Sequence, residues 1–370
     1  MSPFKSTKLG ILSNSVKYIL DRDDRVGAAI TTTSTNHVWS YGDYNYICFL
    51  SPGTFTVQRS GKVDYCLVGG GGGGGGGFLA PPFTGSDGGA GGGGAGGVIH
   101  NYNYDTAEGT YTVVIGGGGA GGAGGSVDSG HGFYGTPTTI TGPGITPTEY
   151  FTAYGGGGGA GADQSPPYDS TDVLNVYGAS GGAVKFVTIG NGNVVSNPPS
   201  WPTVTSLAPY RPDGIQQGFD GGVGLDGGPG GGGGGASEVG GDSPLPTIGG
   251  FGGNGKRIFA GDAGLEPANT PTPLVVGQAA DPNLSLLPGR YVGGGGGGGG
   301  EGGVYTVYRP AGGGGMQGPG YSISSISAIT NTGSGGAGGS EIMPPGGPRT
   351  GGAGASGIVI IRYKRVVDGG

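Results

Sequence analysis

Charge is scarce in this chain. Only 11% of its residues are Asp, Glu, Lys or Arg, and the net charge is −7. A nucleic-acid binder needs a basic face, so that class is excluded. Long apolar runs are missing too. Nothing approaches the roughly 18 consecutive apolar residues of a membrane-spanning helix, so membrane insertion is not expected. The opening residues, MSPFKSTKLGILSNSVKYIL, hold no continuous apolar region and no small-residue cleavage site. No secretory leader is expected. Cysteine is nearly absent. Cys48 and Cys66 cannot make a disulfide framework. They read as two small buried hydrophobes in neighbouring strands, with pairing left open. Helical periodicity is almost lacking. Ser15–Arg22 fits a helix and a strand equally well.

What the chain has is glycine: 101 of 370 residues, with 27 prolines. Collagen would need Gly at every third position throughout. Here the glycines come in blocks. They are Gly69–Gly77, Gly88–Gly97, Gly116–Gly125, Gly155–Gly161, Gly227–Gly235, Gly293–Gly303, Gly312–Gly315, Gly333–Gly339 and Gly351–Gly354. The interruptions are mostly Ala or Ser. Low charge, 19 Tyr and 11 Phe do not fit a disordered polar tract.

Between the blocks lie strand patterns rich in β-branched and aromatic residues: Tyr44–Leu50, Gly53–Gln58, Lys62–Val68, Gly109–Gly116 and Gly357–Lys364. Ser51-Pro52-Gly53 and Arg59-Ser60-Gly61 supply turns. Residues 44–68 therefore read as an antiparallel three-stranded meander. Two long insertions, Ala162–Asp226 and Ala236–Val292, hold Pro-rich and aromatic-rich stretches. They read as ordered display loops.

An ordered glycine block must offset about 1–2 kcal/mol per residue of backbone entropy. It has no side chains with which to do so. Backbone hydrogen bonding in a close-packed array is what remains. An extended threefold helix of the polyproline-II type has no internal hydrogen bonds, and all its N–H and C=O groups point outward. Only Gly lets such helices approach closely enough to pair. A nine-residue block would span roughly 28 Å at about 3.1 Å per residue. The expected fold is mainly β and irregular. It is a polyglycine-II slab with an N-terminal β-meander and long display loops, Ala being tolerated at the slab surface. Gly69, Gly77, Gly116, Gly155, Gly230, Gly293 and Gly300 represent the scaffold. Flexible linkers are the alternative. Blocks of similar length that follow apolar strands without a polar spacer argue against it. Residues 1–40 are expected as an attachment segment, 41–364 as the glycine-rich domain and 365–370 as a tail.

Catalytic and cofactor motifs are not found. Gly250–Arg257 (GFGGNGKR) comes near a phosphate-binding loop, but Arg257 stands where Ser or Thr must reach Mg²⁺, and no helix pattern follows. His37, His100 and His131 are far apart in sequence. Asp21, Asp23 and Asp24 lack the spacing of a calcium loop. No cofactor, no metal and no enzymatic activity are expected. Candidates for receptor contact are the large aromatic and Arg residues of the first long insertion: Tyr168, Tyr177, Trp201, Tyr210, Arg211 and Phe219. Trp, Tyr and Arg dominate binding hot spots.

The run YICFLSPGTFTVQRSGKVDYCLVGGGGGGGGG resembles the opening of glycine-rich domains in bacteriophage virion proteins, especially those of marine phages. GTYTVVIGGGGAGGAGG looks like a second repeat of that domain, and GGAGASGIVIIRY like its closing strand. The likeness spans about Tyr44 to Tyr363. It extends to the tail-fibre-tip adhesins of T-even-type phages, although the insertions here are longer. The resemblance implies a virion protein, exposed on the particle and non-enzymatic: a fibre or tip adhesin that binds a host surface protein or polysaccharide. It also implies virion partners held through the N-terminal segment, and a homo-oligomer such as a trimer. A head-decoration or tail-connector protein is the alternative. An ice- or surface-binding protein ranks below both. It would need a regular Thr or Ala array on one face, and the Thr residues read as clustered in irregular loops.

Overall fold

The computed structural model describes residues 28–32, 37–41, 43–77, 88–125, 130–145, 151–162, 180, 188–189, 193–194, 217–225, 228–244, 248–259, 291–300, 327–340 and 350–365. Two five-stranded antiparallel sheets are stacked. The first contains, in spatial order, β1 (Ala29–Thr32), β4 (Gly53–Arg59), β7 (Gly109–Val114), β8 (Thr138–Thr141) and β9 (Thr152–Ala153). The second contains β2 (His37–Tyr41), β3 (Tyr44–Phe49), β14 (Ile358–Lys364), β5 (Gly61–Val68) and β6 (Val98–Thr106). Two short ribbons complete the strands: β10 (Thr188–Ile189) with β11 (Asn193–Val194), and β12 (Lys256–Arg257) with β13 (Tyr291–Val292).

Phe55, Val57, Tyr111, Val113 and Ile140 of the first sheet meet Ile47, Phe49, Tyr65, Leu67, Val359 and Ile361 of the second. Phe55 stacks on Tyr111 with centroids 4.8 Å apart. The opposite face of the second sheet is also covered. There Tyr46, Cys48, Cys66, Val68, Ile358 and Ile360 pack on Ala236, Ile258, Phe259 and Val292. Among the described residues, then, the fold is mainly β and irregular, as expected.

The expected meander is corrected. Its three strands exist and pair antiparallel, but not with one another. β4 lies in the first sheet. β3 and β5 lie in the second, separated by β14, whose Ile360 pairs with both Cys48 and Cys66. Burial explains the sorting. Ile358–Ile361 are buried on both faces, and so are their neighbours in β3 and β5, which suits the middle layer. β4 alternates, with Phe55 and Val57 inward and Thr54 and Thr56 outward. That pattern fits a sheet with one solvated face. β1 and all but the last residue of β2 fall in the expected 1–40 segment and belong to the two sheets, and residues 1–27 lie outside the described ones. Ser15–Arg22 lies there too.

Several glycine segments join strands directly: residues 69–77 follow β5, 88–97 lead into β6 and 350–357 into β14. In chain order the segments are g1 (69–77), g2 (88–97), g3 (116–125), g4 (130–136), g5 (154–162), g6 (217–225), g7 (228–236), g8 (238–243), g9 (249–254), g10 (293–300), g11 (332–340) and g12 (350–357). Their hydrogen bonds repeat every third residue, the signature of a threefold helix. In g1, Gly69, Gly72 and Gly75 donate to g2; Gly70, Gly73 and Gly76 to g4; Gly71 and Gly74 to g12. The carbonyls of g1 accept from g3, g5 and g11, again in threes. The six neighbours form a closed ring, g4–g5–g2–g11–g12–g3, each bonded to the next. This is hexagonal packing of backbone.

Extending the bonding pattern gives three rows. The middle row is g3–g1–g2–g7–g8. One outer row is g12–g11–g10–g9. The other is g4–g5, then Ser180, then g6. Ser180 fills a lattice place: its carbonyl accepts from Gly157, and its hydroxyl donates to the Gly235 carbonyl at 3.2 Å. In g1, a Cβ at Gly70 to Gly76 would fall on the backbone carbonyl of a neighbour. All seven scaffold glycines lie in these segments. Alanine is not confined to the slab surface, contrary to expectation. Ala90, Ala95 and Ala337 are fully buried. The long insertions are also not wholly loops, since g6, g8 and g9 fall inside them and join the slab.

Candidate functional site

Every strand–slab junction lies at one end of the slab. Val68 leads into g1, g2 into Val98, and g12 into Ile358. Side chains seal this end. Thr138 Oγ1 accepts from the Gly116 amide at 2.9 Å, and Thr136 Oγ1 from the Gly117 amide at 2.7 Å. Gln217 completes the open edge of β9. It accepts from the Tyr154 amide at 3.0 Å and donates to the Thr152 carbonyl at 3.1 Å.

The hydrogen-bond registers place the other segment ends together, far from the strands. Gly75 bonds Gly91, Gly76 bonds Gly130, and Gly125 donates to Gly77. The chain leaves the far end at 77 and returns at 88. It does so again between 125 and 130, 225 and 228, 244 and 248, and 340 and 350, and it departs there once more at 162 and at 300. Seven departures thus converge on one end of a backbone lattice. This end is the candidate binding site.

Tyr168, Tyr177, Trp201, Tyr210 and Arg211 lie outside the described residues. Tyr168 and Tyr177 fall between Ala162, at the far end, and Ser180; Trp201, Tyr210 and Arg211 fall between Val194 and Gln217, and Gln217 is at the strand end. Phe219 is placed elsewhere. It is half-buried within g6, where its amide donates to Gly235. It is part of the slab edge. Two aromatics not picked out from the sequence are well exposed: Phe133 at 56% and Tyr134 at 55%, both on g4. The g4 backbone is pinned to g1, g3 and g5, so their positions are fixed. The signal was Gly132 and Gly135, spaced by three, both turned onto g1.

A polar cluster lies on the opposite face of the second sheet, against Phe259. Arg362 bonds Asp64 through Nε at 2.8 Å and Nη2 at 2.6 Å. The guanidinium lies 4.3 Å from the Tyr44 ring centroid and 4.8 Å from that of Phe259. Opposite Asp64 the β5–β6 register slips, and Asn103 takes φ 56° so that its amide reaches Asp64 Oδ1 at 2.8 Å. The bulge completes the carboxylate's hydrogen bonding. Beside it, His100 packs edge-on against Phe259, its Nε2 buried with no hydrogen-bond partner. Desolvation, with Lys256 and Arg362 nearby, lowers its pKa to about 4. The ring is neutral at pH 7. This cluster is a satisfied structural pair with a neutral ring against it. Cys48 and Cys66 are buried and free, and burial pushes the Cys66 thiol up to about 12. Such thiols are unreactive. At Gly250–Arg257 the amides of Gly250 and Gly253 are donated to Gly230 and Gly233, so they are not offered to a phosphate. Among the described residues no group of His, Cys, Asp and Glu could hold a metal ion.

No curated protein matches the chain. A family described as a glycine-rich domain matches residues 50–364. That span takes in the strands from β4 onward and every glycine segment, and omits β1, β2 and β3, so the chain belongs to the glycine-rich domain family.

Proposed function

We propose that this chain is a virion-borne adhesin of the phage type, which recognises a host surface protein or polysaccharide through loops at the far end of its slab. The observation that carries the reading is the convergence of seven chain departures on one end of a rigid backbone lattice. Binding residues concentrate on loops held by rigid scaffolds. Lattice positions depend on backbone pairing, so loop sequences are free to vary without disturbing the frame. The resemblance to phage virion domains supports the same assignment, with the segment before β1 as the attachment to other virion proteins.

The test is binding of labelled full-length protein to a panel of candidate host cells. One variant carries Ala at Tyr168, Tyr177, Trp201, Tyr210 and Arg211. A second replaces residues 78–87 with a Gly-Ser stretch of equal length. Binding by the parent that is lost in the folded 78–87 variant supports recognition at the far end, and loss in the folded alanine variant assigns recognition to the first long insertion. A folded parent that binds no cell in a panel including the propagating host assigns the chain to a purely structural virion role.

A further inference from the structure

We propose that the outer face of the β1–β4–β7–β8–β9 sheet binds the ordered water lattice of ice. The threonines do not cluster in irregular loops, as the sequence suggests, but form a two-dimensional grid on strands. Thr31 pairs with Thr56, and Thr56 with Thr110. In the next row Thr54 pairs with Thr112, and Thr112 with Thr141. In the third, Val114 pairs with Thr139, and Thr139 with Thr152. Eight of nine grid positions are Thr. The pattern arises from Thr-x-Thr on three successive strands, Thr54–Thr56, Thr110–Thr112 and Thr139–Thr141, with Phe55, Tyr111 and Ile140 between them and buried below.

Strand geometry sets the grid at about 4.8 Å across strands and about 6.7 Å along them. Thr is stiff at χ1, so its hydroxyl and methyl hold fixed directions. The Thr56 and Thr110 hydroxyls are already hydrogen-bonded to each other at 3.2 Å. Thr31, Thr110, Thr112 and Thr141 are exposed, and the other four threonines are half-buried.

The chemistry of the grid selects the occupant. It carries no charge, so a phosphate or a charged peptide has no partner on it. It carries no Trp, Tyr or Arg, whereas Thr is under-represented at protein hot spots. It lacks the apolar centre of a self-association interface. It also has no aromatic face on which a sugar ring could stack. What it offers is a repeating set of hydroxyls, each both donor and acceptor, separated by methyls. An ice plane is likewise an uncharged, two-dimensional repeat of donors and acceptors. Because the core below fixes the grid, little side-chain freedom is lost on binding.

The experiment uses the full chain in an ice-recrystallisation assay and in partitioning into slowly grown ice. Variants are Thr112→Lys at the grid centre, Thr112→Val as a near-isosteric substitution, and Val239→Lys on g8, at the opposite slab edge. Thermal unfolding by circular dichroism establishes that each is folded. The parent and Val239→Lys are expected to enter ice and to slow recrystallisation equally. Thr112→Lys should raise the concentration needed by more than about tenfold, since a bulky charge is set against a neutral lattice. Thr112→Val should weaken the effect less. A folded parent with no effect on ice overturns the proposal. So does equal activity in parent and Thr112→Lys, or equal loss in Val239→Lys. A dimer that dissociates in Thr112→Lys while ice is ignored assigns the face to self-association and overturns it as well.

Discussion

The sandwich and the slab bury their interiors with opposite materials. In the sandwich, Phe49, Tyr65, Leu67, Tyr111 and Ile361 fill the space between two sheets, and removing their atoms leaves a void. In the slab, g1 is as deeply buried and has no side chain at all. Its amides and carbonyls meet six neighbours at hydrogen-bond distances of 2.8–3.2 Å. A side-chain core is damaged by subtraction and a backbone core by addition. The two regions should therefore respond to alanine, the same end residue, for opposite reasons.

The largest effect is expected at Gly73→Ala. The new methyl would fall on the Ala120 carbonyl of g3, a backbone atom that cannot swing away. Moving it breaks bonds to several segments at once. A loss above about 4 kcal/mol, in the tail of single substitutions, is expected in denaturant unfolding. A loss below about 1 kcal/mol would mean that the lattice yields far more than close packing allows.

Next come two substitutions in the sandwich. Asp64→Ala strands the buried Arg362 guanidinium and deprives the Asn103 amide of its acceptor. Breaking a buried pair costs about 3–5 kcal/mol. Replacing both partners, as in Asp64→Leu with Arg362→Met, should restore most of that stability. If it does not, the aromatic contacts to the guanidinium matter more than the ion pair. Leu67→Ala removes a fully buried side chain and should cost about 2–5 kcal/mol through the cavity it leaves. A loss below about 1 kcal/mol would mean that the sandwich closes over the missing atoms, and would undo the contrast between the two cores.

Much of this division was legible in the sequence, for physical reasons that also mark where legibility ended. A run such as Gly69–Gly77 can be ordered only by backbone pairing, and its contact with Val68 fixes where the slab begins. The closing Ile358–Ile361 run announced a buried strand. Its place between β3 and β5 could not be read, since pairing across nearly the whole chain leaves no local trace. Segments g4, g6, g8 and g9 were missed because at the slab rim only the residues facing inward must be Gly. In g4 those are Gly132 and Gly135, while Phe133 and Tyr134 are free to be large. The far end of the slab followed from the registers alone, so the sequence could suggest display loops without saying which end carries them. The threonine grid was invisible for the same reason, because it depends on β4, β7 and β8 being neighbours.

A smaller effect separates the regions by pH. His100 is neutral in the folded sandwich, with its pKa lowered to about 4 against an ordinary 6.5. Between those values the unfolded chain binds more protons than the folded one. Stability therefore rises with pH across that window and falls as pH drops through it. His100→Phe keeps a ring against Phe259 and removes the buried unpartnered nitrogen. Its unfolding midpoint should vary less between pH 6.5 and 4 than that of the parent. An unchanged slope would place the pH sensitivity in other groups. Lys256, Arg362 and Asp64 are the charges that act on the ring.

The smallest effect is also the sharpest control on the lattice. Gly117 sits in g3, on the outward edge of the middle row. A Cβ there meets only Thr136 Oγ1, at 3.7 Å, and the backbone is not in the left-handed region. The Gly117 amide keeps its bond to Thr136 Oγ1 whatever the side chain. Ala120 and Ala123, three and six residues on along the same threefold line, show that a methyl fits this edge. Gly117→Ala should therefore stabilise the protein by about 0.4–1 kcal/mol, by narrowing the unfolded ensemble. Set beside Gly73→Ala, the sign reverses for the same substitution in adjacent segments. If both variants lose stability alike, glycine in the slab is needed for backbone conformation and not for close approach, and hexagonal packing is the wrong account of why these blocks are glycine.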